Sequence, residues 1–399
     1  MFDEPAAELR FTHDSYDAVS GIVFAAYAGA TGRNTEGVYD NVQSVLTAAA
    51  PTNLTVSGGY RETTLSWDAS ANATGYRIYR SESSGSTLSD YTQIADISAS
   101  TTSYTDTGLE DGERYYYRVT AYANSESDPS GEADAITDLP GPSTPTLDTS
   151  TDDEIAVSWT RSDNSGDGDH LIQRSQDNAT WTNAGTTSAT TTAYTDTGLE
   201  DGEQYYYRVR RRTAHATTTS GAATGTTVLP APSISFDTST QREITVSWTQ
   251  TDDNPAGDWE LYRSTDGSLG TLVGSWSDLS TTTYTDTGLP DGERYHYTVR
   301  RATNHATADT QEAAVTVLPA PTNHQYSTVT AVGADHSWTN NHNNGTVKIQ
   351  ARHDDSGWQD VVSGLDRSTE TYTIASLLHG EQYDVRVVAV TEHAQTEDQ

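Results

Sequence analysis

The sequence predicts an all-β protein: four tandem β-sandwiches in a rod, preceded by a small N-terminal segment with one helix. Three observations carry this. Prolines that open proline-bearing stretches, Pro51, Pro140, Pro230 and Pro319, stand 89, 90 and 89 residues apart. A tryptophan keeps step with them at Trp67, Trp159, Trp248 and Trp338, and a tyrosine at Tyr115, Tyr205, Tyr295 and Tyr383. A fixed period of this length marks a chain built from repeated units. Between the landmarks, short segments alternate apolar and polar residues, as half-buried strands do.

The repeats place boundaries at residues 51–139, 140–229, 230–318 and 319–399, with 1–50 left over. Within them, Thr64-Leu65-Ser66-Trp67 and Ile155-Ala156-Val157-Ser158-Trp159 read as early strands, and Tyr76 to Arg80 and Trp259 to Arg263 as later ones. Clusters of Gly, Asp, Asn and Ser between them read as turns. Hydrophobic residues are only 33% of the chain, a share that would also suit disorder, but 23 Tyr and 8 Trp in regular spacing decide for small cores resting on large rings. The linkers are short and carry proline, which makes them semi-rigid spacers.

The segment Leu109-Glu110-Asp111-Gly112-Glu113-Arg114-Tyr115-Tyr116-Tyr117-Arg118-Val119 recurs at Leu199 to Val209 and Leu289 to Val299, with a looser copy from Leu377 to Val387. In each, Leu109, Leu199, Leu289 or Leu377 precedes the landmark tyrosine by six residues. This resembles the fibronectin type III family, whose tyrosine corner has the same Leu-to-Tyr spacing; the early tryptophan and leading proline also fit. One departure is an Asp where that family has Pro, and Asp also favours this turn. The resemblance covers residues 51–399. It implies that each tryptophan closes a small core and that each corner tyrosine offers its hydroxyl to a backbone carbonyl before its strand.

Residues 1–50 differ. Glu36 to Ala50 places Val38, Val42, Val45 and Leu46 on one helical face, with Asn34 or Thr35 as cap. Upstream, Phe11, Tyr16, Ile22, Phe24 and Tyr27 are too apolar to stay solvated, so the segment is expected to anchor the chain to a partner or to further copies of itself, or to pack on the first sandwich. Its acidic start is unlike a secretory signal, and the run from Gly21 to Ala30 is too short to span a bilayer.

The formal net charge is −35, from 57 acidic and 22 basic residues, and Lys348 is the only lysine. Such a field repels nucleic acid and anionic membranes. Losing lysine while multiplying Asp, Glu and Thr resembles the proteins of extreme halophiles, in which salt screens the self-repulsion. There is no cysteine, so no disulfide contributes.

No catalytic constellation stands out: no cysteine nucleophile, no phosphate-binding glycine loop and no paired-histidine metal motif. The best metal candidate is the loop Asp163-Asn164-Ser165-Gly166-Asp167-Gly168-Asp169, echoed by Asp252 to Asp258. Asp163, Asp167 and Asp169 could offer oxygens to Ca²⁺, but Arg174 stands at position twelve, where a calcium loop has Glu. A solvated acidic turn is the cheaper reading, and no cofactor is expected. Histidines gather in the last repeat at His324, His336, His342, His353, His379 and His393 without zinc spacing, which suits polar surface or loops. The loop Trp338 to Gly345 is the least repeat-like stretch. Arg208, Arg210, Arg211 and Arg212 form the only basic run, expected to pair across strands with carboxylates.

Arrays of this family serve as spacers and recognition modules on cell surfaces, in carbohydrate-active enzymes, and in tail and head-decoration proteins of tailed viruses. With no enzyme domain and no signal peptide, the resemblance points to an external virion component of a virus of halophilic archaea: a tail fibre, baseplate appendage or capsid turret. Residues 1–50 would meet other virion proteins, in a homo-oligomeric assembly, and the divergent last repeat would meet a host surface or glycan. The alternatives are a cell-surface or surface-layer-associated adhesin of a halophile, and an accessory region of a carbohydrate-active enzyme.

Overall fold

The structure is a computed structural model that describes residues 47–354 and 356–397. Val38, Val42, Val45 and Leu46, and the helix expected around them, lie outside the described residues. Residues 47–50 have no helix, and Ala48 sits in the core of the first sandwich.

The first sandwich has seven strands: β1 (Thr55–Gly59), β2 (Glu62–Ser66), β3 (Gly75–Ser81), β4 (Thr92–Ser98), β5 (Ser103–Thr107), β6 (Arg114–Tyr122) and β7 (Ala133–Ile136). They form two antiparallel sheets, of order β1-β2-β5 and β4-β3-β6-β7. Side chains alternate between faces along a strand, so β6 turns Tyr115, Tyr117, Val119 and Ala121 inward, and β2 turns Leu65. The next three units repeat this three-plus-four arrangement, the second with its last strand split into Thr217–Thr219 and Ala223–Thr226. Apart from one 3₁₀ turn at Leu88–Asp90, the described residues are strands and loops.

Trp67, Trp159, Trp248 and Trp338 are all buried, at 5, 5, 2 and 3% exposure, each in the core of its own sandwich. Leu109, Leu199 and Leu289 are buried with Tyr115, Tyr205 and Tyr295, whereas Leu377 and Tyr383 are only half-buried. The corner hydroxyl works in the opposite sense from the expectation. Tyr115 and Tyr205 accept from the N–H of Glu110 and Glu200 at 3.1 Å, and Tyr383 accepts from that of Leu378 at 3.3 Å. In the third sandwich Pro290 stands at this place and has no N–H to give.

Each of the first three cores also holds an acid. Asp106, Asp196 and Asp286 are 5% exposed and accept hydrogen bonds from Tyr117, Tyr207 and Tyr297 at 2.7–2.9 Å. Arg80, Arg174 and Arg263 reach the same carboxylates at 2.7–3.0 Å. Burial first, and the neighbouring carboxylate second, push the Tyr207 and Tyr297 hydroxyls well above the ordinary phenol range, so they stay donors. The cross-strand register puts Ala351 opposite Val385 in the fourth sandwich, as Arg174 lies opposite Tyr207 in the second. Ile374, 1% exposed, takes the place of the acid. One fold thus carries both a buried acid–tyrosine pair, met by a partly exposed arginine, and its apolar substitute.

Removing the acid alone is costlier than replacing the whole set, because the Tyr207 hydroxyl stays buried without its acceptor while Arg174, partly exposed, loses its partner. Asp196→Ala is expected to destabilise the second sandwich by about 2–3 kcal/mol, measured by amide exchange of its core strands. Adding Arg174→Ala and Tyr207→Val, with Ile at 196, should recover at least half of that loss.

Candidate functional site: the joints between sandwiches

The turn that leads into each of the first three corner tyrosines also meets the next sandwich. Asp111 is fully buried there. Its N–H donates to Asn164 Oδ1 at 2.8 Å, and the Asn164 N–H donates back to Asp111 Oδ2 at 2.9 Å. The pair forms a reciprocal clasp between residues 53 apart in the chain. Asp201 with Asp253 (3.2 and 3.1 Å) and Asp291 with Asn343 (2.8 and 2.8 Å) repeat it. Beside the clasp an asparagine amide donates to a turn carbonyl: Asn164 to Leu109, Asn254 to Asp201 and Asn344 to Asp291.

A second contact lies next to it. The hydroxyls of Thr213, Thr303 and Thr391 donate to the carbonyls of Gly112, Gly202 and Gly292 at 2.5–2.8 Å. His215 and His305 approach Glu113 and Glu203 at 3.9 and 3.6 Å. Gly112 has φ +70°, and a Cβ there would come within 3.0 Å of Leu139 and 3.2 Å of Thr213, so the turn needs glycine both for its backbone and for the close approach. Arg61 pairs with Asp111 at 3.2 Å and donates to the carbonyl of Ser162 at 3.0 Å; Arg242 pairs with Asp291 at 3.6 Å.

The acidic loops and the basic run, separate in the sequence, meet at these joints. Arg211 is fully buried in the second sandwich. Its guanidinium holds Asp163 at 3.1 Å and the carbonyl of Ser165 at 3.0 Å, while Arg161 holds the same carboxylate at 2.7 Å. Burial works against the charged form of Asp163, but hydrogen bonds from Arg211 and Arg161 outweigh it and keep its pKa below the ordinary range. Arg301 does the same for the third sandwich, with Asp252 at 3.2 Å and the carbonyls of Asn254 and Ala256 at 2.9 and 2.7 Å. A buried arginine therefore fixes the loop that presents Asn164, or Asp253 and Asn254, to the preceding sandwich.

These placements correct several expectations. Asp163 is bound by arginines in the interior and is not part of a solvated turn; Asp169 is taken by Arg212 at 2.6 Å; Asp167 is exposed. The three do not converge, and among the described residues no group of three or more acidic, histidine or cysteine side chains could hold a metal ion. Cross-strand ion pairing holds for Arg212, whereas Arg208 lies against the ring of Trp181 at 4.2 Å. The loop Trp338 to Gly345 is part of the third joint, through Asn343 and Asn344.

The histidines of the last sandwich are also not all surface groups. His336 is 1% exposed, two residues before Trp338 on the same strand face. It stacks on Tyr326 with centroids 4.5 Å apart and meets His324 at 3.3 Å. His342 is buried as well, and its Nδ1 contacts the Asn344 carbonyl at 2.5 Å. His353 pairs with Glu381 at 2.8 Å, while His379 is exposed. The period-two alternation through Trp338 was the available signal for His336.

The family model of the fibronectin type III domain matches residues 49–135. With the same strand order in the units that follow, the chain is an array of fibronectin type III-like sandwiches. Exoglucanase B of Cellulomonas fimi is 32% identical over 283 residues, which are 64% of this chain and 24% of that protein; the chain spans about a quarter of the curated relative it matches. Among solved structures, a two-domain fibronectin type III segment of chicken tenascin is similar at 17% identity, covering 44% of this chain and 99% of that one, with a TM-score of 0.39. The chicken CNTN1 FN1–FN3 domains are similar at 14% identity, covering 68% and 99%, with a TM-score of 0.25. Among the described residues no helix is long and apolar enough to cross a membrane.

Two outcomes follow from this geometry. Asn164→Ala removes the side-chain half of the first clasp and should cost about 1–3 kcal/mol at the joint. It should widen the distance distribution between spin labels in the first and second sandwiches while leaving amide protection inside each unchanged. In the fourth sandwich, burial and then the neighbouring His324 lower the His336 pKa from 6.5 to about 4. Its unfolded form binds the proton first, so stability is intact above pH ~6.5 and falls as pH drops towards about 4, by ~3 kcal/mol in all. Acid titration of fourth-sandwich amide protection should show that slope in the native chain and lose it in His336→Phe.

Proposed function

We propose that the chain is a non-enzymatic structural array carried on the exterior of a virion of a halophilic virus, as a tail fibre, baseplate appendage or capsid turret. Residues 1–50 attach it to other virion proteins, in an assembly with further copies of itself, and the last sandwich extends towards a host surface. The observation that supports a structural role is the thrice-repeated clasp. A chain that buries Asp111, Asp201 and Asp291 to fix each sandwich on the next is organised to hold a spacing. The acidic, nearly lysine-free composition supports the saline setting.

A second reading, an accessory spacer within a longer carbohydrate-active protein, is favoured by the similarity to exoglucanase B. Labelled antibody separates the two. The first reading expects label on purified particles, whereas label confined to envelopes of uninfected cells, or a catalytic domain in the same secreted polypeptide, would overturn it. At a net charge of −35 the sandwiches should also melt at lower temperature in millimolar than in molar salt. Equal melting temperatures would remove the saline part of the proposal.

A further inference from the structure

The outer face of the larger sheet carries one recurring side-chain chain. In the second sandwich Asn183 Oδ1 accepts from Gln173 Nε2 at 3.3 Å, Gln173 Oε1 accepts from Arg208 Nε at 2.9 Å, and the guanidinium lies 4.2 Å from the centre of the Trp181 ring. The fourth sandwich has the same set at the same registers: Asp360, Gln350, Arg386 and Trp358, at 2.6, 2.8 and 4.2 Å. Gln173 and Gln350 are each 8% exposed, so the arginine is held at Nε by a buried partner and its two Nη groups point onward.

What the Nη groups meet differs between sandwiches. Arg386 donates through Nη1 to the carboxylate of Glu397. Arg118, at this place in the first sandwich, donates to the carbonyls of Ser130 and Gly85 at 3.0 and 2.9 Å and has Glu132 at 3.9 Å. Arg208 has no carboxylate among the described residues. The register explains why: Glu397 lies opposite Val388, and the equivalent pair in the second sandwich is Thr219 opposite Arg210. There the carboxylate is replaced by an exposed hydroxyl, and the apolar neighbour by an exposed arginine that also has no ion pair among the described residues. In a chain with 57 acidic residues, two adjacent arginines without a carboxylate form a slot whose complement is outside the molecule.

We propose that Trp181, Arg208 and Arg210 form a binding site for a hexuronic-acid residue of an acidic polysaccharide. The sugar carboxylate takes the place that Glu397 fills in the fourth sandwich, bridging the Arg208 Nη groups and Arg210. The C–H face of the sugar ring lies on the part of the Trp181 indole that remains exposed. A carboxylate on a pyranose ring, whose C–H groups form a broad apolar face, suits this slot better than an acidic side chain, which offers the arginines the same charge but gives the indole no face to cover. The inference rests on the second sandwich alone and holds wherever the array is carried.

Calorimetric titration of the full chain with trigalacturonate tests it, at the lowest salt in which the chain stays folded. Saturable binding is expected, with galactotriose at least roughly tenfold weaker. Arg210→Gln, an exposed position, should weaken binding by about tenfold or more. Thr219→Glu, which supplies the carboxylate found in the fourth sandwich, should abolish binding without lowering the melting temperature. Trp181→Ala should weaken it too. No binding by the native chain, native affinity in Thr219→Glu, or equal affinity for galactotriose would each overturn the proposal. Equal or tighter binding of a tetraglutamate peptide would assign the slot to acidic peptides and overturn the sugar reading.

Discussion

The arrangement of this chain depends on one small exchange of hydrogen bonds. At each joint a turn residue and a loop residue trade backbone N–H donors for side-chain oxygens, and neither Asp111 nor Asp291 is open to water. The turn that makes the exchange is the same one that ends on the corner tyrosine. Tyr115 accepts from the N–H of Glu110, one residue before Asp111, so the sandwich core sets the position of the residue that holds its neighbour. Packing inside one sandwich and orientation of the next are therefore not separable. The glycine that follows Asp111 gives the turn its left-handed bend and lets Thr213 of the next sandwich reach its carbonyl.

Basic residues number 22 against 57 acidic ones, and all but Lys348 are arginine, so where arginine is placed is informative. Arg80, Arg174 and Arg263 serve core acids; Arg211 and Arg301, both fully buried, serve the loops that reach back to the preceding sandwich. Buried ion pairs are weak evidence for stability, because desolvation offsets much of the attraction. The fourth sandwich makes that concrete with Ala351, Ile374 and Val385 where the others have arginine, acid and tyrosine. It also has Ala389 where the second and third have buried arginines, and there the buried His342 contacts the Asn344 carbonyl within the joint loop. The ionic groups are thus dispensable for the sandwich. In the second and third their specific contribution is to aim the loop.

Much of the architecture was legible in the sequence, because strands at a fixed period leave a record in Trp, Tyr and Leu that needs no partner to read. The joints were not, because a clasp joins residues about fifty positions apart in different repeats. Their trace was nonetheless present: Asp111-Gly112, Asp201-Gly202 and Asp291-Gly292 keep step with Asn164, Asp253 and Asn343. Arg211 and His336 were placed wrongly, and Asp106 was not singled out, for a common reason. Polar residues are assigned to the outer face of an alternating strand by default, and that fails when a partner distant in sequence satisfies them inside. Asp106 finds Tyr117, Arg211 finds Asp163, and His336 finds His324 and Tyr326.

The three joints are not equivalent, and the difference is electrostatic. The first and third set a carboxylate against an asparagine, with Arg61 or Arg242 beside it. In the second, Asp201 faces another acid, Asp253, and the position of the arginine is Asp153, whose carbonyl accepts from Leu199 as that of Arg61 does from Leu109. Burial, together with the charges of Asp253, Asp152 and Asp252, raises the Asp201 pKa, against the opposing hydrogen bond from Asp253. The same backbone exchange is therefore made there against like-charge repulsion. That joint keeps its geometry through Asn254, which donates to the Asp201 carbonyl at 2.7 Å and to Glu203 at 3.0 Å, and through Thr303. Of the three it alone sets two carboxylates against each other with no arginine paired to Asp201 among the described residues, which makes the middle of the array, and not either end, the place where screening by salt acts first on the spacing it holds.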